Sequence, residues 1–200
     1  MLPTTTFAVR LVPNFPNILT LSRIVVIPLI VAAFYLPPLT ASWTTFALFA
    51  YAGVTDYFDG MLARRWDQTT DVGRFLDPIA DKLLVGAVLV MMIATEVISG
   101  AGVIAGLLIL LRELLVSGLR EFLAGKQVDV PVSKLAKWKT GVQLVAIALL
   151  LLTGVAPQIG AIGGVLLWVA AVLTVYTGYE YLRAGIAHMT RPRGNDPAAE

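Results

Sequence analysis

Six long apolar runs, at 18–36, 42–62, 79–98, 101–123, 138–156 and 159–182, occupy most of this chain. Each approaches the roughly 20 residues that a helix needs to cross the ~30 Å hydrocarbon core of a bilayer. The mean hydropathy is +0.81, with 58% of residues hydrophobic and 14% charged, more apolar than a soluble domain of 200 residues tolerates. The expected fold class is therefore all-α, a polytopic membrane protein with six transmembrane helices in one bundle. Turn formers separate the runs at Pro37-Pro38, at Ser99-Gly100 and from Gly154 to Gly160, with Pro157 inside the last stretch. The membrane domain is expected over 18–187, preceded by a juxtamembrane segment, 1–17, and followed by a polar tail, 188–200. The leader reads equally as a short interfacial helix or as a disordered segment. Because the first run is long and several more follow it, a true span is expected there instead of a cleaved signal.

The basic residues set the orientation. Arg10, Arg23, Arg64, Arg65, Arg74, Arg120, Lys126, Lys134, Lys137, Lys139, Arg183, Arg191 and Arg193 all fall on one side of the six expected spans, and the opposite loops hold none. Such asymmetry predicts that side, with both termini, to be cytoplasmic. The two remaining cations, Lys82 and Arg112, lie within runs. The net charge of +2 and the pI near 9.0 arise from small scattered groups, not one dense patch, so nucleic acid is not an expected partner. With no cysteine there is no disulfide, thiolate nucleophile or Cys-based metal site. The single His188 reads as a surface residue.

Chemistry is expected where the second run ends and the third begins, in DYFDGMLARRWDQTTDVGRFLDPIADK. Asp56 and Asp59 are three apart, and Asp77 and Asp81 are four apart, so each pair shares a helical face. Two antiparallel helices joined by a short loop can present all four carboxylates to one point. Without cations such a cluster repels itself, and oxygen-only ligands favour a hard ion, Mg²⁺, Mn²⁺ or Ca²⁺. The number of ligands suits two ions clamping a phosphoryl oxygen. Asp56 lies eight residues before Arg64, on the order of 12 Å along a helix, which sets the site just beneath the cytoplasmic interface. Gly60 and Ala63 leave a bare helix face that a flat base or sugar can approach, or that another helix can pack on. Arg64 offers a planar cation to a phosphate, or an interfacial anchor beside Arg65. Gly73 reads as a turn or close-approach point, and Asp77-Pro78 also reads as a helix start.

Asp56, Asp59, Gly60, Ala63, Arg64, Gly73, Asp77 and Asp81 match every fixed position of D-x2-D-G-x2-A-R-x8-G-x3-D-x3-D, and with it the chain resembles the CDP-alcohol phosphatidyltransferase family. The resemblance implies a six-span homodimeric enzyme of the bacterial inner membrane. It implies that Asp56, Asp59 and Asp77 bind metal, and that Asp81 is both a ligand and the base that deprotonates the acceptor hydroxyl. It also implies that Gly60, Arg64 and, from its loop position, Thr70 contact the CDP part of CDP-diacylglycerol.

The acceptor must be read from the other polar residues. Arg112 and Arg120 are eight apart on the fourth run, each followed by a glutamate, and Lys134, Lys137 and Lys139 open the fifth. These five cations read as an anion pocket for an acceptor that carries phosphate. The alternative is structural, a buried Arg112 held by Glu113 or by an aspartate of the acidic cluster. The stretches NFPNILTLSRIVVIP, RELLVSGLRE and KWKT resemble those of bacterial phosphatidylglycerophosphate synthases, which implies glycerol 3-phosphate as acceptor. Another acceptor, such as inositol phosphate, serine or phosphatidylglycerol, fits the same signature. Of a different class, a cation transporter or channel would spread its carboxylates through the membrane depth, whereas these crowd at one end.

Overall fold

The computed structural model describes the backbone of residues 15–66, 71–125 and 134–189. Within it, the side chains of 15–20, 57, 59, 60, 62–66, 71–75, 77, 134, 137 and 187–189 lie outside the described residues. So do the expected interfacial leader before Phe15, Thr70 and nearly all of the polar tail.

Six helices make up the described residues: α1 (Phe15–Ala33), α2 (Pro38–Trp66), α3 (Asp71–Ala94), α4 (Gly102–Ala124), α5 (Lys134–Leu151) and α6 (Pro157–Met189). Their order and approximate places follow the apolar runs. Proline opens both α2 and α6, where its missing N–H would have had no helical partner. One boundary differs from the sequence reading, because α3 begins at Asp71 and Pro78 sits inside it. A proline there removes a single i→i−4 donor, a defect that an otherwise continuous helix can carry. The far end of α3 closes with Glu96 in the left-handed region (φ 59°), followed by Gly100 at φ 53°.

Helix α1 packs against both α2 and α3, and α6 against both α4 and α5, giving two three-helix groups joined through α2 with α5 and α3 with α4. Ile30, Leu89, Met92, Ile109, Ile147 and Leu167 fill the space between them and are almost fully buried. Hydroxyls inside this apolar setting bond to their own helix: Thr45, Thr55 and Thr177 each donate to the carbonyl four residues earlier. Where α6 meets α5 the backbones approach closely. A Cβ at Gly163 would stand 2.9 Å from both the Cγ and the backbone N of Leu150 and 3.2 Å from the Ala146 carbonyl, whereas one at Gly164 would meet open space. Gly163→Ala should therefore lower stability by about 1–3 kcal/mol. Gly164→Ala should be neutral or slightly stabilising, because alanine is the better helix former. Thermal melts of both variants in detergent check the pair, and equal melts would contradict the close approach.

Many large apolar side chains lie on the outer surface of the described residues. Val25, Leu29, Val165 and Val172 are all at least half exposed, and Trp138 is 73% exposed. Helix α4 and the Pro157–Ile186 part of α6 are long and apolar enough to cross a membrane, and only 22% and 33% of their apolar windows are buried by protein. A core helix of a soluble protein would be mostly buried.

Candidate active site

A connected series of charged and polar side chains involves all six helices. It starts in the seam of α1 and α2, where the guanidinium of Arg23, 1% exposed, donates through Nη1 to Oδ1 of Asp56. A buried cation inside an apolar bundle needs such a partner. The Asp56 side chain nevertheless stays 52% exposed, so the ion pair holds one oxygen while much of the carboxylate remains accessible. Asp81, partly buried on α3, lies within electrostatic reach of Asp56, Lys82, Glu113 and Arg23.

The second part belongs to α4, α5 and α6. Glu113 Oε1 accepts from Lys139 Nζ and, at 3.3 Å, from Arg112 Nη1. Arg112 Nη2 donates to Thr177 Oγ1 at 3.1 Å, and that hydroxyl donates onward to the Leu173 carbonyl at 2.8 Å. Lys139 is 3% exposed and also within electrostatic reach of Asp81, which links the two parts. Two cations share the one carboxylate of Glu113. Among the described residues, Arg112 Nε, Gln143 Oε1 and Thr174 Oγ1 are buried polar atoms with no hydrogen-bond partner in the protein. Such atoms are rare and mark places where a ligand or water completes the bonding.

Of the residues singled out from sequence, the structure thus brings Asp56 toward Asp81, and Arg112 toward Lys139 through Glu113. Arg120 is exposed two turns farther along α4, outside this buried group. Asp59, Gly60, Ala63 and Arg64 fall on α2, Gly73 and Asp77 on α3, and Lys134 and Lys137 on the first turn of α5. The side chains of these eight lie outside the described residues, as does Thr70 entirely. The pairing of Arg112 with Glu113 is the one the structural alternative anticipated. Three participants were not anticipated: Arg23 as the partner of Asp56, Glu113 as the partner of Lys139, and Thr177. A lone arginine in the first apolar run was the available signal for Arg23, since a cation there needs a counter-charge.

As for metal, the described donors are two carboxylates on different helices that repel each other. Hard oxygen donors of this kind suit a hard divalent cation, although among the described residues no third carboxylate or histidine joins them and Asp56 is already paired with Arg23.

Residues 13–176 match the sequence profile of CDP-alcohol phosphatidyltransferases. The chain belongs to that family. Among members, the CDP-diacylglycerol–glycerol-3-phosphate 3-phosphatidyltransferase of Rickettsia felis is 47% identical over 178 residues, covering 88% of this chain and 97% of its own. The enzyme of the same name from Shigella flexneri serotype 5b is 43% identical over 183 residues, again covering 88% and 97%. The crystal structure of Mycobacterium tuberculosis phosphatidylinositol phosphate synthase with CDP-DAG bound shares the fold, with a TM-score of 0.61 at 21% identity over 92% of each chain. The same enzyme in complex with manganese and citrate also gives 0.61 at 21% identity, over 92% of this chain and 87% of that one. In this CDP-alcohol phosphatidyltransferase, Asp56 and Asp81 are the two fixed aspartates of the signature whose side chains are described, and they stand in one electrostatic neighbourhood.

Proposed function

We propose that this chain transfers the phosphatidyl group of CDP-diacylglycerol to glycerol 3-phosphate, releasing phosphatidylglycerol phosphate and CMP in phospholipid biosynthesis. The observation that carries this reading is the position of Asp81. It lies within electrostatic reach of Asp56, Glu113 and Lys139, so a proton acceptor shares one neighbourhood with a carboxylate suited to metal and a group suited to phosphate. The relatives at 43% and 47% identity that bear the glycerol-3-phosphate name support the acceptor.

The setting is a six-span bundle in the bacterial inner membrane, assembled as a homodimer with both termini and the site on the cytoplasmic side. An apolar exterior around a bundle whose polar groups turn inward supports the membrane setting, because lipid is the solvent that such a surface matches. Helix α2, with 29 residues, is on the order of 43 Å long and exceeds the ~30 Å hydrocarbon core. Its last turns, from Asp56 to Arg64, then emerge at the cytoplasmic interface, where a lipid phosphate can enter sideways.

Asp56, Asp59, Asp77 and Asp81 hold the metal, two Mg²⁺ or Mn²⁺ ions. Bound there, divalent cations supply positive charge against the diphosphate of the donor. The manganese complex of the Mycobacterium tuberculosis enzyme supports a metal of this kind. Gly60, Ala63, Arg64, Thr70 and Gly73 receive the CDP part of the donor. Arg112 and Lys139, with Arg120, Lys134 and Lys137 toward the surface, hold the acceptor phosphate and so orient its free hydroxyl. Asp81 takes the hydroxyl proton as that oxygen attacks the phosphatidyl phosphorus, and the bond to the CMP oxygen breaks.

Purified protein in detergent, given CDP-diacylglycerol and Mg²⁺ or Mn²⁺, should release CMP with glycerol 3-phosphate at least about a hundredfold faster than with serine, inositol phosphate or phosphatidylglycerol. A different preferred alcohol would overturn the acceptor, and no release with any of them would overturn the reaction.

A further inference from the structure

We infer that Thr177 and Gly178 of α6 are positioning residues that aim Arg112 at the phosphate of the acceptor, an inference that rests on the acceptor pocket proposed above. Arg112 belongs to α4, yet its side chain is located by α6. A Cβ at Gly178 would stand 2.9 Å from Arg112 Cγ, 3.4 Å from Nε and 3.8 Å from Cδ, so three atoms of the arginine pass over the bare backbone of that glycine. Gly178 is buried in the middle of α6 and has no left-handed φ that would call for glycine. A glycine in a helix interior is less favourable than alanine by about 1 kcal/mol, and the room it leaves for the arginine is the compensating reason here. Thr177, the preceding residue, accepts from Arg112 Nη2 while its own proton is committed to the Leu173 carbonyl. That commitment turns an oxygen lone pair toward the guanidinium.

The guanidinium is thereby fixed at three places: Gly178 locates the stem, Thr177 takes Nη2, and Glu113 takes Nη1. Nε has no partner in the protein. A guanidinium has five N–H donors, and two are used. Those that remain have a set direction, as recognition of a tetrahedral phosphate requires. A glycine that served helix packing alone would look like Gly185, two turns on, where the nearest atoms to a Cβ would be those of Leu119 and Leu123 of the same α4 helix, from 3.0 Å.

The test is steady-state CMP release by the full-length protein in detergent, varying glycerol 3-phosphate and CDP-diacylglycerol separately. Thr177→Val and Gly178→Ala should each raise the KM for glycerol 3-phosphate about tenfold, the scale of one lost or misaligned charge-assisted hydrogen bond. The KM for CDP-diacylglycerol and kcat should stay within about twofold, and Gly185→Ala should change none of the three. An unchanged KM for glycerol 3-phosphate in Thr177→Val, or equal changes in both KM values, overturns the inference. Should Gly178→Ala fail to fold, Thr177→Val decides alone, because it keeps the side-chain volume and removes only the hydroxyl. Arg112→Ala separates the two levels of the argument. If it leaves the KM for glycerol 3-phosphate unchanged, the pocket and this inference fall together. If it raises that KM while the α6 variants do not, the pocket stands and the positioning role alone is lost.

Discussion

Asp81→Asn should lower CMP release by roughly 10³-fold, within the 10²–10⁴ that a positioned general base contributes, while the protein still folds and still binds CDP-diacylglycerol. Asparagine keeps the shape of the side chain and cannot take the acceptor proton. The substitution also removes a negative charge from a neighbourhood that contains Asp56 and Glu113, so the fold loses little. Two measurements on one preparation check this: CMP release with saturating glycerol 3-phosphate, and the thermal shift produced by CDP-diacylglycerol. Near-full activity would remove Asp81 from the role of base, and a complete loss of the donor-induced shift would make it a binding residue instead.

Glu113→Gln should be the most destabilising single change in the interior. Lys139 and Arg112 both give hydrogen bonds to this carboxylate, and their side chains are only 3% and 14% exposed. Glutamine retains the bonding shape but leaves two cations without the carboxylate they share, with Asp81 the remaining negative group within electrostatic reach of Lys139. Breaking a buried ion pair from one side costs about 3–5 kcal/mol, which lowers the melting temperature by roughly 10 °C for a chain of this size. The pocket reading adds a second expectation. Glycerol 3-phosphate should restore more stability to Glu113→Gln than to the parent protein, because its phosphate supplies the missing negative charge and a ligand that binds only the folded state stabilises it. Melts with and without the acceptor measure both effects. A variant that melts like the parent and ignores glycerol 3-phosphate would show that neither cation depends on Glu113.

The elements were easier to read than the pairs between them. Six apolar runs and their proline and glycine breaks placed six helices in order, because burial in an apolar medium imposes a local composition that any window of the chain reveals. Helix ends were less legible. Asp77-Pro78 looked like a start because proline suits the first turn, yet α3 begins at Asp71. The acidic motif was visible because its spacings of three and four are helical periods, and its eight fixed positions carried the family. Glu113 was read beside Arg112 because the two are adjacent, and its link to Lys139 went unread.

What the sequence determined by itself is the set of helices, the side on which positive charge collects, and the carboxylate motif with its family. Only the tertiary structure decided which charges meet. Arg23 with Asp56, Glu113 with Lys139, and Arg112 with Thr177 join residues 33, 26 and 65 positions apart. No periodicity encodes such distances. The pairings arise because a charge enclosed by apolar helices must find its opposite, and which partner lies within reach depends on how α1 seats against α2 and how α6 seats against α4.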